Sequence, residues 1–214
     1  MEILFEDKYI VVCIKPTGLL SQADSKGAES MITRLEQITG SQIFPLHRLD
    51  REVGGVMVYA KTKAAAAKLS TDIAQNNFKK EYIALVHGKP EAPQGVMKDL
   101  LFKDSSRNKS YVVRRERKGV KAASLQYELI RTTSSVYGEL SSVSVILHTG
   151  RTHQIRVQFS TRGMSLAGDR KYGARDEFGS IGLWSYKITF NHPKTNEQMC
   201  FNKAPDNFIA DYLK

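Results

Sequence analysis

The stretch PLHRLDREVGG, residues 45–55, concentrates side chains that could carry out chemistry directly ahead of the apolar run GGVMVYA. One histidine, two arginines, one aspartate and one glutamate occupy residues 47–52. Such a stretch is either a solvated turn that leads into a strand or a charged site that is held against a sheet. Asp50 by itself is typical of an ordinary turn residue, so the choice depends on the rest of the chain.

Three further polar clusters adjoin apolar segments, at residues 79–82, 149–156 and 168–173. Taken singly, none of them predicts a function, and Arg156 alone is typical of a surface arginine. His47 and His153 belong to no HExxH pattern and have no carboxylate at metal-ligand spacing, so no metal site is predicted. Cys13 and Cys200 lie far apart without CxxC spacing, which argues against a disulfide framework or a zinc site.

The apolar pattern predicts the elements that must position these clusters. Strands are predicted at residues 9–14, 54–60, 81–87, 123–131 and 143–147, and a final hairpin at residues 185–190 and 197–201. Helices are predicted at residues 29–39, which Gly40 ends, and at residues 62–77. The pattern therefore predicts an α+β fold, with an extended mixed, mostly antiparallel sheet flanked by helices and loops, as a single domain over residues 1–214.

The composition favours a nucleic-acid partner. The 214 residues include 32 Lys and Arg against 22 Asp and Glu, and this net charge of +10 suits contact with phosphate backbones. The densest basic stretch, residues 103–121, is either a solvated hairpin or loop or a site of RNA or DNA backbone contact. No apolar run approaches the ~20 residues of a membrane span, and the acidic N-terminus is unlike a signal peptide. We therefore expect a cytoplasmic protein, and a monomer.

Several segments, in order along nearly the whole chain, resemble the signature motifs of the RluA-type pseudouridine synthases. They are DKYIVVCIKPTGLLSQ, HRLDREVGGVMVYAK, KKEYIALVHGK, LHTGRTHQIRVQFSTRGMSLAGDRKYGA and FNHPKTNEQMCFNKAPDNF. The resemblance implies the pseudouridine synthase fold and an enzyme that isomerises a specific uridine in structured rRNA or tRNA, without a metal or other cofactor. The motifs begin within the first ten or so residues, so we expect a catalytic domain without the N-terminal S4 RNA-binding domain of some relatives.

The resemblance assigns catalytic roles to three residues. Asp50, in HRLD, is implied to be the nucleophile that forms a covalent intermediate with the target uridine, by attack at either the ribose C1′ or C6 of the base. A buried carboxylate stays ionised when a cation lies beside it, and the resemblance implies that this cation is Arg156. Tyr82 is implied to lie against the target base, where its ring can stack on uracil and its hydroxyl can act in proton transfer.

The resemblance also assigns residues to substrate binding, namely His47, Arg48, Arg151, His153 and Gln154. Arg48, next to the nucleophile, is implied to fill the gap that the flipped nucleotide leaves in the RNA. Arg151 is implied to shape the site or to contact phosphate. Because a stacked uridine is inaccessible, flipping costs roughly a few kcal/mol, and phosphate contacts from residues 103–121 could offset part of this.

Two segments depart from the family's usual pattern. Val53, Gly54 and Gly55 follow Glu52 where Thr-Ser-Gly is common, and Ser165 stands where a proline is usual. Neither change removes a catalytic group, so an active enzyme is expected.

Two other functions remain alternatives. A non-catalytic RNA-binding relative that acts in ribosome assembly would be expected to lack the nucleophile or its arginine, and both Asp50 and Arg156 are present. An Asp-dependent hydrolase would need an acid/base pair or a metal site, and the sequence resembles neither.

Overall fold

The computed structural model describes residues 1–24 and 27–213, which divide into two compact units. Unit 1 comprises Met1–Lys80 and Trp184–Ala204, and unit 2 comprises Glu81–Leu183 and Pro205–Lys214. The single domain over residues 1–214 stays a prediction. Within the described residues, no helix has both the length and the apolar character that crossing a membrane requires.

The described residues form strands and helices in the following chain order. The strands are β1 (Ile3–Glu6), β2 (Ile10–Lys15), β3 (Phe44–Pro45), β4 (Gly54–Ala60), β5 (Lys79–His87), β6 (Gln94–Asp104), β7 (Lys109–Val113), β8 (Val120–Ser135), β9 (Gly138–Leu147), β10 (Leu183–Asn191) and β11 (Gln198–Asn202). The α-helices are α1 (Met31–Thr39), α2 (Lys63–Ala74) and α3 (Gln154–Ser160), and 3₁₀ helices occur at Arg170–Tyr172 and Phe208–Tyr212.

Unit 1 is built around β2 and β4, in which every residue is buried. These two strands pair antiparallel, β1 and β3 add to them antiparallel, and β10 pairs parallel with β4 while β11 pairs antiparallel with β10. Continuous apolar runs suit strands that are covered on both faces. Helix α1 begins at a capping box formed by Ser30 and Thr33 and ends at Gly40, which is left-handed.

Unit 2 is an antiparallel array in the order β5, β9, β8, β6, β7. Helix α3 packs against it, and Val157 of the helix joins Leu101, Ala123 and Tyr172 in one buried cluster. Ring contacts of Phe178 with Phe208 and Tyr212 hold the C-terminal 3₁₀ helix on the same unit.

The predicted α+β class with mostly antiparallel pairing is confirmed, and the predicted strands and helices are all present. The strand predicted at residues 123–131 extends over Val120–Ser135 and contains a register shift between Leu129 and Arg131. The basic stretch at residues 103–121 contains strand β7 and the ends of β6 and β8. Strands β1, β3, β6 and β7 were not predicted, and the segment after β9, which no predicted element covers, is helical.

Candidate active site

Asp50 lies in a loop, residues 46–53, that joins β3 to β4 and is tied down on both sides of the aspartate. On one side the hydroxyl of Ser21 donates to the carbonyl of Leu49 at 2.8 Å and accepts from its N–H at 3.0 Å. On the other side the Arg51 Nε donates to the carbonyl of Gly18 at 2.9 Å, and the Gly18 N–H donates back to the Arg51 carbonyl at 2.9 Å. The leading motif KPTGLLS thus fixes the backbone that presents Asp50, whose side chain is only partly buried. A fixed backbone limits the geometries that a reacting group samples, which is the requirement for positioning catalysis.

Lys15 supports the same loop from inside unit 1. Its side chain is fully buried, and its Nζ donates to the carbonyls of Pro16 at 2.9 Å and Arg51 at 3.0 Å. Burial lowers the pKa of Lys15 to about 8, although the negative charges of Glu52 and Asp50 act in the opposite direction. The buried ammonium group of Lys15 therefore holds the backbone of the loop through two carbonyl groups.

This burial makes a pH-dependent prediction for Lys15→Met. The folded-state pKa of about 8 lies below the ordinary value of 10.5, so between these values the unfolded chain binds more protons and the stability of the wild type rises with pH. We expect the free energy of unfolding of the wild type, relative to that of Lys15→Met, to increase by up to about 3 kcal/mol from about pH 7 to about pH 10. Urea melts of both proteins at each pH measure this difference. A difference that stays constant with pH would contradict it.

The two neighbours of Asp50 that were assigned to substrate binding have opposite exposures. The side chain of Arg48 is exposed to solvent. The ring nitrogens of His47 are both buried, and burial, reinforced by the positive charge of Lys80, lowers the pKa of His47 to about 3. His47 is therefore neutral at physiological pH.

The unusual Gly54 has a physical explanation in Trp184. A Cβ atom on Gly54 would meet Cζ3 of the buried Trp184 indole at 2.5 Å, so the serine that is common in the family cannot fit beside this ring. Gly55 has φ of +120° and a Cβ there would meet the Ser185 carbonyl oxygen at 2.2 Å, so it also must be glycine. The departure in sequence therefore accompanies a large aromatic residue on β10.

Gly54→Ser is expected to destabilise the protein by about 1–3 kcal/mol through overpacking against Trp184. Because the clash involves the six-membered ring of the indole, Trp184→Phe should relieve it, and a double-mutant cycle should give a favourable coupling energy in Gly54→Ser/Trp184→Phe. Chemical denaturation of the four proteins measures the cycle. Strict additivity of the two changes would show that Trp184 is not the reason for the glycine.

Arg156 lies in the first turn of α3 and is held by a carboxylate of unit 2. Its Nε donates to Asp169 Oδ2 at 2.7 Å and a terminal nitrogen donates to Asp169 Oδ1 at 2.9 Å, which is a bidentate pair. The exposed fractions of the two side chains are 7% and 1%. The guanidinium carbon also lies 5.1 Å from the centroid of the Tyr172 ring. These contacts fix the plane and direction of the guanidinium group.

The residues ahead of Arg156 are ordered by their own polar groups. His153 is left-handed, with φ of 53°, and its Nδ1 shares a hydrogen bond of 2.9 Å with the Tyr172 hydroxyl. The side-chain oxygen of Gln154 accepts from the Thr149 hydroxyl at 2.7 Å and from the Arg151 N–H at 3.0 Å, while its amide nitrogen donates to the Ser124 carbonyl at 3.1 Å. These bonds account for the turn that starts α3.

The remaining predicted residues of unit 2 are Arg151 and Tyr82. Arg151 is exposed, and its Nε donates to the Ala122 carbonyl at 3.0 Å, which leaves its terminal nitrogens toward the surface. Tyr82 is 5% exposed on β5, where it pairs with Val145 of β9. The substrate-binding and catalytic assignments of these residues stay predictions.

Four residues that contact the site residues or their loops in the structure had no predicted role, namely Lys15, Ser21, Asp169 and Tyr172. Asp169 and Tyr172 belong to the polar cluster GDRKYG at residues 168–173, and membership of this cluster was the only feature of the sequence that pointed to them. Tyr172 also links β7, which lies in the basic stretch at residues 103–121, to helix α3, because its hydroxyl accepts from the Ser110 N–H of β7 at 2.8 Å. Lys109 adds a cation 5.0 Å from the centre of the same ring.

Comparison with known sequences gives relatives over almost the whole chain. A family model described as RNA pseudouridylate synthase matches residues 9–161. The dual-specificity RNA pseudouridine synthase RluA of Escherichia coli is 33% identical, over 96% of this chain and 93% of its own. An uncharacterized RNA pseudouridine synthase, YhcT of Bacillus subtilis, is 31% identical over 99% of this chain and 70% of its own. The ribosomal large subunit pseudouridine synthase C of Pasteurella multocida is also 31% identical, over 96% of this chain, which spans 64% of that relative's length.

Comparison with solved structures gives the same result for the fold. The human RNA pseudouridylate synthase domain containing 4 matches 99% of this chain and 91% of its own with a TM-score of 0.79 and 22% identity. The human RNA pseudouridylate synthase domain containing 1 matches 99% of this chain and 85% of its own with a TM-score of 0.80 and 20% identity. These likenesses confirm the predicted fold.

Proposed function

We propose that this chain, which belongs to the RNA pseudouridylate synthase family and is therefore an isomerase that forms pseudouridine in RNA, acts on a specific uridine in structured rRNA or tRNA with Asp50 as its nucleophile. The observation that carries the proposal is the Asp50 loop itself. Hydrogen bonds of Ser21 and Gly18 fix the residues on either side of the aspartate while its carboxylate stays partly exposed. A reactive carboxylate needs this combination of a fixed backbone and access to a substrate.

The reaction suits a carboxylate that needs no cofactor. Asp50 forms a covalent adduct with the uridine, the bond between N1 and C1′ breaks, and the uracil turns so that C5 bonds to C1′. The bond between Asp50 and the nucleotide then breaks, which regenerates the free carboxylate. The proton on C5 leaves and N1 gains a proton, so the nucleotide keeps its composition. Tyr82 is proposed to lie against the uracil, and Arg156 to be the cation that favours the ionised aspartate.

Arg48 and Arg151 are proposed to contact the RNA, since each is exposed in its own unit. His153 and Gln154 are buried and their polar atoms are hydrogen-bonded within unit 2, so we propose that they serve RNA binding by holding the residues around Arg151. The exposed basic residues between β7 and β8 are proposed to add phosphate contacts, namely Arg114, Arg115, Arg117 and Lys118. A monomeric, cytoplasmic enzyme is part of the same proposal.

The function is tested by mapping pseudouridine in rRNA and tRNA from cells with and without the gene. We expect one or more sites to disappear on deletion, to return with the wild-type gene and to stay absent when the gene encodes Asp50→Ala. If no site disappears, the chain does not modify these RNAs. If Asp50→Ala restores the site, Asp50 is not the nucleophile, and if the deletion instead impairs ribosome assembly with an unchanged map, the non-catalytic alternative is correct.

A further inference from the structure

Two basic side chains of unit 1, His47 and Lys80, are desolvated without an anionic partner. Both ring nitrogens of His47 are buried, and neither has a hydrogen-bond partner in the described part of the chain. The His47 ring lies against Phe78, with centroids 5.6 Å apart, and Phe78 in turn stacks on Phe190. The aromatic contact fixes the imidazole, but it satisfies neither nitrogen.

Lys80 is the second residue of β5 and follows Phe78, whose ring contacts His47, by two residues. Its pKa is lowered by burial, and its positive charge in turn lowers the pKa of His47. Among residues 1–24 and 27–213, no carboxylate pairs with Lys80 and no acceptor bonds to its Nζ. The adjacent Lys79, which points to the other face, is exposed.

A buried nitrogen without a partner and a half-buried cation without an anion are both unfavourable in the free protein. Native proteins satisfy nearly all such groups, so an exception indicates a partner that arrives from outside. The partner must accept hydrogen bonds from both groups and carry negative charge. A phosphodiester oxygen pair has this chemistry, whereas a uracil carbonyl would leave the ammonium charge unbalanced.

We propose that His47 and Lys80 together form a subsite for one backbone phosphodiester of the RNA, with Lys80 supplying the charge and His47 a neutral N–H donor. The identity of the ligand as RNA rests on the proposed function. The subsite adds to that function a defined backbone contact three residues from Asp50, which would fix the register of the RNA strand rather than read its sequence. Lys80 is new as a binding residue, and His47 receives a specific chemical role.

The subsite predicts a change in the salt dependence of RNA binding. The probe is an RNA stem–loop with uridines in its loop, and its affinity is measured over a series of salt concentrations for the wild type, Lys80→Met and the matched control Lys79→Met. Loss of one phosphate contact should reduce the slope of log affinity against log salt by about 0.7–0.9 in Lys80→Met and weaken binding roughly 10-fold at low salt. His47→Phe keeps the ring stacking, so it should weaken binding by several-fold, about the loss of one hydrogen bond, with an unchanged slope.

A second arm identifies the source of the phosphate. A methylphosphonate linkage, which is neutral, is placed at one loop position at a time in the stem–loop. At one position it should weaken binding to the wild type and to Lys79→Met but leave binding to Lys80→Met unchanged. Inorganic phosphate is tested separately as a stabiliser against thermal unfolding, which also reports whether each variant is folded.

The outcomes separate the subsite from the function. If Lys80→Met is folded and binds with the slope and affinity of Lys79→Met, the subsite is wrong, whatever the activity. If inorganic phosphate stabilises the wild type but not Lys80→Met, and no methylphosphonate position is sensitive, the groups bind free phosphate and the proposal is overturned. If the RNA effects are as expected but the wild type forms no pseudouridine in cells, the subsite stands as a backbone contact and the proposed function fails.

Discussion

Asp50→Asn is expected to form pseudouridine at least about 10⁴-fold more slowly than the wild type while binding RNA with an affinity within about threefold. Asparagine has the same shape as aspartate, so the hydrogen bonds of Leu49 and Arg51 that hold the loop are retained. What is lost is the anionic oxygen that we propose to form the covalent adduct with uridine. A nucleophile that is removed from an otherwise intact site costs rate rather than binding, because binding energy comes from contacts spread over the RNA.

The measurement is single-turnover release of tritium from RNA labelled at C5 of uridine, since that hydrogen leaves when C5 bonds to the ribose. Asp206→Asn, at an exposed position in the C-terminal segment, is the matched control and should react at the wild-type rate. A separate filter-binding assay gives the affinities. Activity of Asp50→Asn within about 10-fold of the wild type would exclude a nucleophilic role, since loss of a covalent catalyst lowers rates far more than this.

The sequence predicted the central strands of unit 1 well because their burial is continuous. Strand β4 reads GGVMVYA and is buried at every residue, so its apolar run and its structure agree. Strand β6 was not predicted, because its burial is not continuous. Its buried residues Met97 and Leu101 share one face, but Asp99 lies between them on that face and interrupts the apolar alternation of a half-buried strand. Its pairing with β7 and β8 supplies the stabilisation that its own pattern does not reveal.

Helix α3 could not be distinguished from a strand by periodicity. Residues 154–159 are all buried, including Gln154, Arg156 and Gln158, so no polar face marks either a 3.6-residue or a 2-residue period. The polar residues are buried because unit 2 supplies partners for them, such as Ser124, Asp169 and Asp99. Such partners are 13 to 59 residues away along the chain, and a single sequence contains no signal for pairings of this range.

The supporting residues of the site were unpredictable for the same reason. The motif around Asp50 identified the loop, but the bonds from Lys15 to Arg51 and from Ser21 to Leu49 span 36 and 28 residues. The glycine at position 54 is likewise explained only by the tertiary structure, which places Trp184 against it. Residue types and motifs thus indicate which groups could react, whereas the groups that hold them in place become visible through the tertiary structure.

Asp169→Asn is expected to destabilise the protein by about 3–5 kcal/mol, because it removes one partner of a buried ion pair and leaves the charge of Arg156 in a poorly solvated place. The amide keeps one oxygen acceptor, but its nitrogen faces a guanidinium donor, so the bidentate geometry is lost. We also expect kcat to fall with little change in KM, since Asp169 fixes the orientation of Arg156, which we propose as the cation beside Asp50.

The test of Asp169 measures both stability and kinetics, because the two measurements together distinguish a positioning role from a purely structural one. Urea denaturation measures the free energy of unfolding, and kcat and KM are measured well below the unfolding transition, where circular dichroism shows a folded protein. Glu29→Gln breaks the exposed pair with Arg34 and should leave both stability and rate unchanged. Asp169→Glu keeps the charge and should recover most of the stability but only part of kcat, because its longer side chain cannot hold Arg156 in the same place. A folded Asp169→Asn with wild-type kcat would show that the orientation of Arg156 does not depend on this carboxylate.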